Sequence, residues 1–447
     1  MIPARWRAGE VAVVGLGRSG LAAARLLAKR GMRVYASDAS VTDALQRAAG
    51  ELPAACDVDL GAHDLARIAR AAAVVVSPGV PPEAAPVVAA RQAGVEVVSE
   101  IDLGARLLEG TRLVVVTGTN GKTTTTHLVA HLLNAVDMPA TTAGNIGRPL
   151  TDLADDPARP GWAAVEVSSF QLHDSPHLVP DIGVLTNLAP DHLDRYPNVA
   201  AYYADKALLF RNASPSTTWV LNGDDPAVLE LARGVTGARR QFRVDGPADA
   251  WLDRDRAQLI CEGDLVLPRS EFPLLGDHNV ANALAAVLAV CAAGARPTDL
   301  GPGLKAFAAP AHRLEPIRTV RGVRWINDSK GTNVAATAVA LRAMDGPYVL
   351  IAGGHPKGEA FAPLAPLLLP DCRYLVAYGE AGPALHEALH GAVPTDVVEG
   401  FDEAVARAAR LAPDGGAVLL SPACASFDQF HNFEERGARF RQLVEGM

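Results

Sequence analysis

Cysteine is scarce in this chain. Its 447 residues include five, Cys56, Cys261, Cys291, Cys372 and Cys424, far apart and with no CxxC pair. That spacing argues against a disulfide framework or a zinc site and fits a reducing compartment. No apolar run reaches the roughly 18 residues a membrane span needs. The opening stretch, MIPARWRAGEVAVVGLG, lacks an apolar signal-peptide core followed by a cleavage site. A cytoplasmic protein without membrane insertion is expected, and a monomer. Positive charge is also short: 41 Lys and Arg stand against 50 Asp and Glu, a net −9. Nucleic acid is therefore a poor candidate partner, because phosphate backbones demand clustered cations. The five tryptophans are scattered and suggest no stacking platform.

What is present reads as an ordinary globular protein, 49% apolar and 20% charged. The length is too great for one core, so two or three domains are expected. Short apolar runs at Val11–Leu16, Arg33–Ser37, Ala73–Ser77 and Val95–Val98 alternate with helix-like stretches such as Leu21–Lys29. That alternation predicts a small, parallel, doubly wound sheet over residues 1–100. A second unit, 101–309, opens with strands at Leu113–Thr117, Ala163–Val167 and Ile182–Thr186. It becomes strand-rich over Thr217–Leu267 and closes with an apolar helix at Asn279–Ala292. A linker at Pro310–Arg313 leads into a third α/β unit, 310–447, with strands at Arg324–Ile326, Tyr348–Ala352, Tyr374–Tyr378 and Ala417–Leu420.

The sharpest local signal is the run Thr117, Gly118, Thr119, Asn120, Gly121, Lys122, Thr123, Thr124, in which a buried strand enters a glycine turn and Lys-Thr opens a helix. Glycines let backbone N–H groups approach phosphate oxygens, and the helix N-terminus adds a positive end. Lys122 would neutralise the β and γ phosphates of a nucleotide, and the Thr123 hydroxyl would ligate Mg²⁺. The turn departs from the general phosphate-loop pattern in one place, Val116, six residues before Lys122. Its plain alternative is a tight turn between strand and helix.

Near the N-terminus, Gly15, Gly17 and Gly20 sit between a strand and a helix, with Asp38 ending the next strand. Alone this spacing suggests NAD, or merely close strand–helix packing. Beside an ATP loop, the pyrophosphate of a UDP-sugar is an equally good tenant. Ser77, Pro78 and Gly79 end another strand and could line the same crevice.

After Pro197, apolar or aromatic residues at Val199, Tyr202, Tyr203, Leu209 and Phe210 form one helix face with Lys206 at its middle. Such a lysine either snorkels to the surface or is desolvated, which would lower its pKa. Periodicity by itself favours snorkelling. His127 and His131 are four apart on a helix, but no Glu follows His127, so ordinary helix surface or core is the better reading. Cys424 has no evident base beside it and reads as a packing residue.

These motifs together resemble the Mur ligases, the ATP-dependent amino-acid ligases of peptidoglycan precursors. The resemblance runs through TGTNGKTT, GNIG (144–147), EVSSFQL (166–172), LTNLAPDHLDRY (185–196), GDHNVANALAA (276–286), AHRLE (311–315), INDSKGTN (326–333) and LLSPACASFDQFHNFEERG (419–437). The last stretch and GLGRSGLAAARLL resemble the D-glutamate-adding members. The family implies an N-terminal Rossmann-like UDP-binding domain, a central P-loop ATPase-like domain and a C-terminal Rossmann-like domain. It also implies ATP-driven joining of UDP-N-acetylmuramoyl-L-alanine to D-glutamate through an acyl phosphate.

By the same resemblance, Lys122, Glu166, His192 and Lys206 are catalytic, and Thr123, Glu166, His192 and Lys206 lie on the metal side. Lys206 would carry a CO₂-derived carbamate, which reverses the reading from periodicity. ATP would meet residues Gly118 to Thr124 together with Asn279, Asn282, Arg313 and Asp328. His312 would sit with Arg313 at the hinge. The UDP-muramoyl substrate would face Gly15, Gly17, Ser19, Asp38, Ser77, Asn145, Ser168, Gln171 and His192. D-glutamate would meet Ser426 and Phe427 opposite Lys357, while Asp328, Lys330 and Thr332 close over nucleotide and substrate. One departure stands out. His355 and Pro356 occupy places where family members carry an acid or small residue, so the turn bearing Lys357 is expected to differ. The rival readings are a Mur ligase adding another amino acid, an NAD-dependent oxidoreductase, and a non-catalytic nucleotide sensor.

Overall fold

A computed structural model describes residues 2–192, 195–308, 311–369 and 371–447. Leu193 and Asp194, within the LTNLAPDHLDRY stretch, and Pro310, in the expected linker, lie outside them. The described residues form three sheets. Packing gathers them into two compact units, Met1–Glu271 with Ala281–Lys305, and Phe272–Val280 with Ala306–Met447.

The first sheet is built from β1 (Glu10–Val14), β2 (Arg33–Asp38), β3 (Cys56–Leu60), β4 (Ala73–Val76) and β5 (Val97–Ser99), ordered β3-β2-β1-β4-β5. Every pairing is parallel. The strands that read as unbroken apolar runs are the inner ones, buried from Val11 to Val14 and from Ala73 to Val76, as a sheet covered on both faces requires. The helix Arg18–Lys29 crosses from β1 to β2 and buries Leu21, Leu26 and Leu27.

The second sheet has nine strands: β6 (Arg112–Thr117), β7 (Ala140–Gly144), β8 (Trp162–Glu166), β9 (Ile182–Leu185), β10 (Thr218–Asn222), β11 (Ala238–Arg243), β12 (Ala250–Asp253), β13 (Gln258–Cys261) and β14 (Asp264–Pro268). β6 lies between β8 and β9, all parallel. The far edge, β12 to β14, turns antiparallel. The helix Glu100–Leu107 joins the two sheets. Its Glu100 carboxylate accepts from the Thr151 N–H and hydroxyl, each at 2.6 Å, and burial pushes its pKa up to about 7. Lys29 adds an ion pair to Asp155.

The second unit carries β15 (Glu315–Val320), β16 (Val323–Asn327), β17 (Tyr348–Gly353), β18 (Cys372–Tyr378), β19 (Thr395–Val398) and β20 (Ala417–Leu420), ordered β15-β16-β20-β17-β18-β19. Only β15 is antiparallel. The helix Phe433–Glu445 buries Phe440 and Val444 against Trp325 and Val418. Among the described residues no helix is long and apolar enough to cross a membrane.

Gly20 tests how tightly the first turn is built. Alanine usually improves a helix by up to about 1 kcal/mol over glycine. Here a Cβ would lie 1.8 Å from the Gly15 carbonyl oxygen, and backbone cannot yield that far. Gly20→Ala is expected to lower stability by about 1–3 kcal/mol, read as a fall in denaturation midpoint. A rise would mean that helix propensity wins and the contact is slack.

Candidate active site

Strand β6 delivers the chain into the Gly118–Gly121 turn. Gly118 (φ 144°) and Gly121 (φ 81°) adopt backbone conformations that favour glycine. A Cβ on either would lie 2.0 Å from Thr186 Oγ1 or 2.2 Å from Asn282 Oδ1. The turn is fixed from several sides. The Thr119 hydroxyl reaches the Ala189 carbonyl at 3.1 Å and the Tyr202 hydroxyl at 3.2 Å. The Asn120 N–H donates to Asn187 Oδ1 at 2.9 Å, and Thr186 Oγ1 donates to the Asn120 carbonyl at 2.6 Å. Lys122 Nζ folds back on the carbonyls of Gly118 (3.0 Å) and Thr119 (2.7 Å). Thr123 and Thr124 stand in the first turn of the helix Lys122–Ala135, whose N-terminus carries the partial positive charge that suits phosphate. Asn282 lies buried beneath, accepting from Thr125 Oγ1 at 3.2 Å.

The neighbouring strands bring two charged groups to the same edge. Glu166 ends β8 beside Val116 of β6 and is 2% exposed. Its Oε1 accepts from Asn145 Nδ2 at 3.0 Å. Its Oε2 is buried with no hydrogen-bond partner among the described residues. Lys206, in the helix Val199–Ala207, is 1% exposed, and its Nζ donates to Thr117 Oγ1 at 3.1 Å. Snorkelling is ruled out. Desolvation, then repulsion from Lys122, lowers its pKa to about 6. His192 takes a left-handed backbone (φ 53°) and packs edge-on to Phe170 and Tyr202.

A cavity of about 540 Å³ opens between the first two sheets, lined among others by Gly15, Gly17, Ser19, Asp38, Ser77 and Asn145. Gly15 sits at φ 84°, and its carbonyl accepts from the Ser77 hydroxyl at 2.7 Å. Asp38 receives the Leu16 N–H at 2.7 Å and the Ser40 N–H at 2.8 Å. Ser168 and Gln171 form a reciprocal cap at the helix Ser169–His173, and Gln171 Nε2 is left buried without a hydrogen-bond partner among the described residues. The structure thus gathers the residues assigned to the loop, the metal side and the UDP substrate within the first unit.

The second unit holds the others. Asp328 follows β16, accepts from Ser421 Oγ at 2.7 Å and the Leu314 N–H at 3.2 Å, and is pushed up to about 7 by burial. Lys330 Nζ lies 4.0 Å over the Phe433 ring, its pKa lowered by desolvation. Lys357 donates to Thr332 Oγ1 at 3.3 Å. Ser426 is buried and Phe427 70% exposed. Arg313 and His312 are half-buried. Asn279 donates to the Leu275 carbonyl at 2.8 Å. The unusual His355 is anchored by a two-way backbone bridge to Ala425 and by Nδ1 against Glu380.

Three participants escaped the sequence: Thr117, which meets the Lys206 amine, Phe433, which carries Lys330, and His63, which lines the cavity. The first two lie inside the quoted motifs, where an aromatic or hydroxyl at a strand or helix end was the available signal. The decoys behave as expected. His131 bonds the Gly303 carbonyl, and burial pushes the Cys424 thiol up to about 12. Among the described residues no cluster of three or more His, Cys, Asp or Glu forms a protein-only metal cage. Mg²⁺ does not require one, since it takes one or two carboxylates along with phosphates and water.

Three domain families match this chain in order: Mur ligase MurD-like, N-terminal domain, over 9–99; Mur ligase middle domain over 116–290; and Mur ligase, glutamate ligase domain, over 312–424. A relative from Anaeromyxobacter dehalogenans, named UDP-N-acetylmuramoylalanine–D-glutamate ligase, is 42% identical across 97% of both chains. One of the same name from Myxococcus xanthus is 40% identical across 98% of both. The crystal structure of UDP-N-acetylmuramate-alanine ligase MurC from Thermotoga maritima shares the fold, with a TM-score of 0.61 over 98% of this chain and 99% of that one at 20% identity. These matches set aside the oxidoreductase reading of the Gly15 turn. With full-length relatives and all three domains in order, this chain belongs to the Mur ligase family.

Proposed function

We propose that this chain is the ATP-dependent ligase that joins D-glutamate to UDP-N-acetylmuramoyl-L-alanine, acting in the cytoplasm as a monomer. The observation that carries the reading is the meeting of three features at one strand edge: the Lys122 turn, the unpartnered Glu166 oxygen and the buried Lys206 amine. A carboxylate is a poor electrophile, so its oxygen attacks the γ-phosphorus of ATP, ADP leaves, and an acyl phosphate results. The D-glutamate amine then attacks the acyl carbon, a proton is lost, and phosphate departs. Most of the protein's work is positioning and charge neutralisation.

Residues 1–100 would bind the UDP moiety in the cavity at Gly15, Asp38 and Ser77. Residues 101–309 would hold ATP on the Gly118–Thr124 turn with Asn279 and Asn282. Residues 310–447 would supply Arg313, Asp328, Lys330 and Thr332 to the nucleotide and substrate, and Lys357, Ser426 and Phe427 to D-glutamate. Asn145, Ser168, Gln171 and His192 would face the muramoyl end. Thr123, Glu166, His192 and a carbamoylated Lys206 are the groups that would hold Mg²⁺, whose charge would offset that of the phosphates. Carbamoylation needs a neutral amine: nitrogen bonds to CO₂ carbon, a proton leaves, and the neutral amine becomes an anion. A pKa near 6 supplies that amine at neutral pH.

Phosphate release from UDP-N-acetylmuramoyl-L-alanine and ATP should require D-glutamate, with little turnover on L-glutamate, L-alanine or meso-diaminopimelate. Turnover with another acceptor and none with D-glutamate would overturn the assignment. Lys206→Ala should lose activity by about a hundredfold or more, the scale of removing one electrostatic stabiliser. High bicarbonate or chloride should not restore it fully. Wild-type protein in ¹³C-bicarbonate should show a carbamate carbon signal that grows as pH rises through about 6, because the amine is protonated below that value. Absence of the signal, with chloride alone restoring the variant, would refute carbamoylation.

A further inference from the structure

Arg436 is fully buried, in the first turn of the helix Phe433–Glu445. Its Nε donates to Ser329 Oγ at 3.0 Å. Nη2 donates to the carbonyls of Ser329 (2.9 Å) and Cys424 (3.2 Å). Nη1 reaches the Tyr378 hydroxyl (3.2 Å), the Ala425 carbonyl (3.3 Å) and, more weakly, the Gly353 carbonyl (3.5 Å). No carboxylate is among these partners. Its direct hydrogen-bond acceptors are all neutral, and the buried Asp328 carboxyl acts on it only at longer range. A buried cation without a directly bonded carboxylate is costly, and an apolar side chain would usually fill such a space at less expense in free energy. Something other than core packing accounts for it.

Its partners share a location. Ser329 follows β16, Gly353 ends β17, Tyr378 ends β18, and Cys424 and Ala425 follow β20. One guanidinium therefore ties together the carboxyl ends of four parallel strands, the edge at which α/β sheets bind ligands. Three of the four tethered loops also carry a residue assigned to substrate: Lys330 next to Ser329, Lys357 four positions after Gly353, and Ser426 next to Ala425. Drawing the Ala425 carbonyl inward has a further effect. In a trans peptide the following N–H is antiparallel to the carbonyl, so the Ser426 N–H turns away from the cation.

We propose that Arg436 is a positioning residue for the acceptor amino acid: it fixes the spacing of the Lys330, Lys357 and Ser426 loops to suit an amino dicarboxylate. The proposal rests on the D-glutamate ligase reading above. A planar five-donor fork is what the role needs, and lysine, with the same charge, cannot reach four loops at once.

Steady-state kinetics on the full chain, varying D-glutamate, ATP and the UDP substrate separately, decide it. Arg436→Lys should raise KM for D-glutamate about tenfold or more, leave the other two KM values within about twofold, and keep a cooperative thermal transition. Tyr378→Phe, which removes one tether and keeps the cation, should raise the same KM by a smaller factor, about two- to threefold. An unchanged KM for D-glutamate, or an equal rise in all three, would leave Arg436 a structural staple and overturn the proposal. Should Arg436→Lys fail to fold, the Tyr378→Phe profile decides by the same criteria. Wild-type protein inert toward D-glutamate would instead sink the ligase reading, and the KM comparison would then run on whichever acceptor turns over.

Discussion

A lysine amine buried against a threonine hydroxyl is the contact around which the site is arranged. Lys206 is buried along its helix, and among the described residues its hydrogen-bond partner is Thr117, the last residue of β6. Keeping it charged there would cost about 6 kcal/mol relative to water, given 1.36 kcal/mol per pKa unit between 10.5 and about 6. Burial therefore favours the neutral form of an amine set beside the glycine turn, whose own Lys122 is the second cause of the lowered pKa. That geometry follows from β6 lying between β8 and β9. Its carboxyl end becomes the meeting point of the glycine turn, Glu166 and the helix bearing Lys206.

Much of the fold was legible because inner parallel strands are buried on both faces and read as apolar runs. The four strands that the sequence did not announce, β3, β7, β15 and β19, are all edges. Edge strands have one neighbour and one wetter flank, so their residues need not be apolar. β3 reads Cys-Asp-Val-Asp-Leu, with Asp57 and Asp59 exposed. β7 is Ala-Thr-Thr-Ala-Gly, and β19 is Thr-Asp-Val-Val. Short, polar edges also discourage pairing with another chain. The feature that hid them from the pattern is the feature that lets them stay at the edge.

The site was legible where chemistry is local and obscure where it is assembled. The glycine turn could be read because strand, turn, lysine and helix are contiguous. Lys206 could be placed on an apolar helix face, yet periodicity does not say what covers that face, and it favoured the wrong answer. Thr117, Phe433 and Arg436 act on groups 89, 103 and, at the longest, 107 residues away in sequence. No spacing rule joins such pairs. Only the parallel order of the sheets brings them to a common edge.

Glu166 shows what that order leaves unfinished. One oxygen is committed to Asn145 and the other is buried without a partner. An orphaned buried acceptor costs about 1–3 kcal/mol, more when charged. Stability alone would have removed it, since a glutamine there could donate as well as accept. A carboxylate instead is a group that a cation would relieve, and under the proposed reading that cation would make the neighbourhood tolerable for phosphate oxygens. Carbamoylation of Lys206 would extend the same logic, replacing a neutral amine with a second anion that raises the demand for metal. Under the proposed reading, the destabilised ground state and the capacity to gather ATP's charge would be one property of the edge where β6 and β8 end.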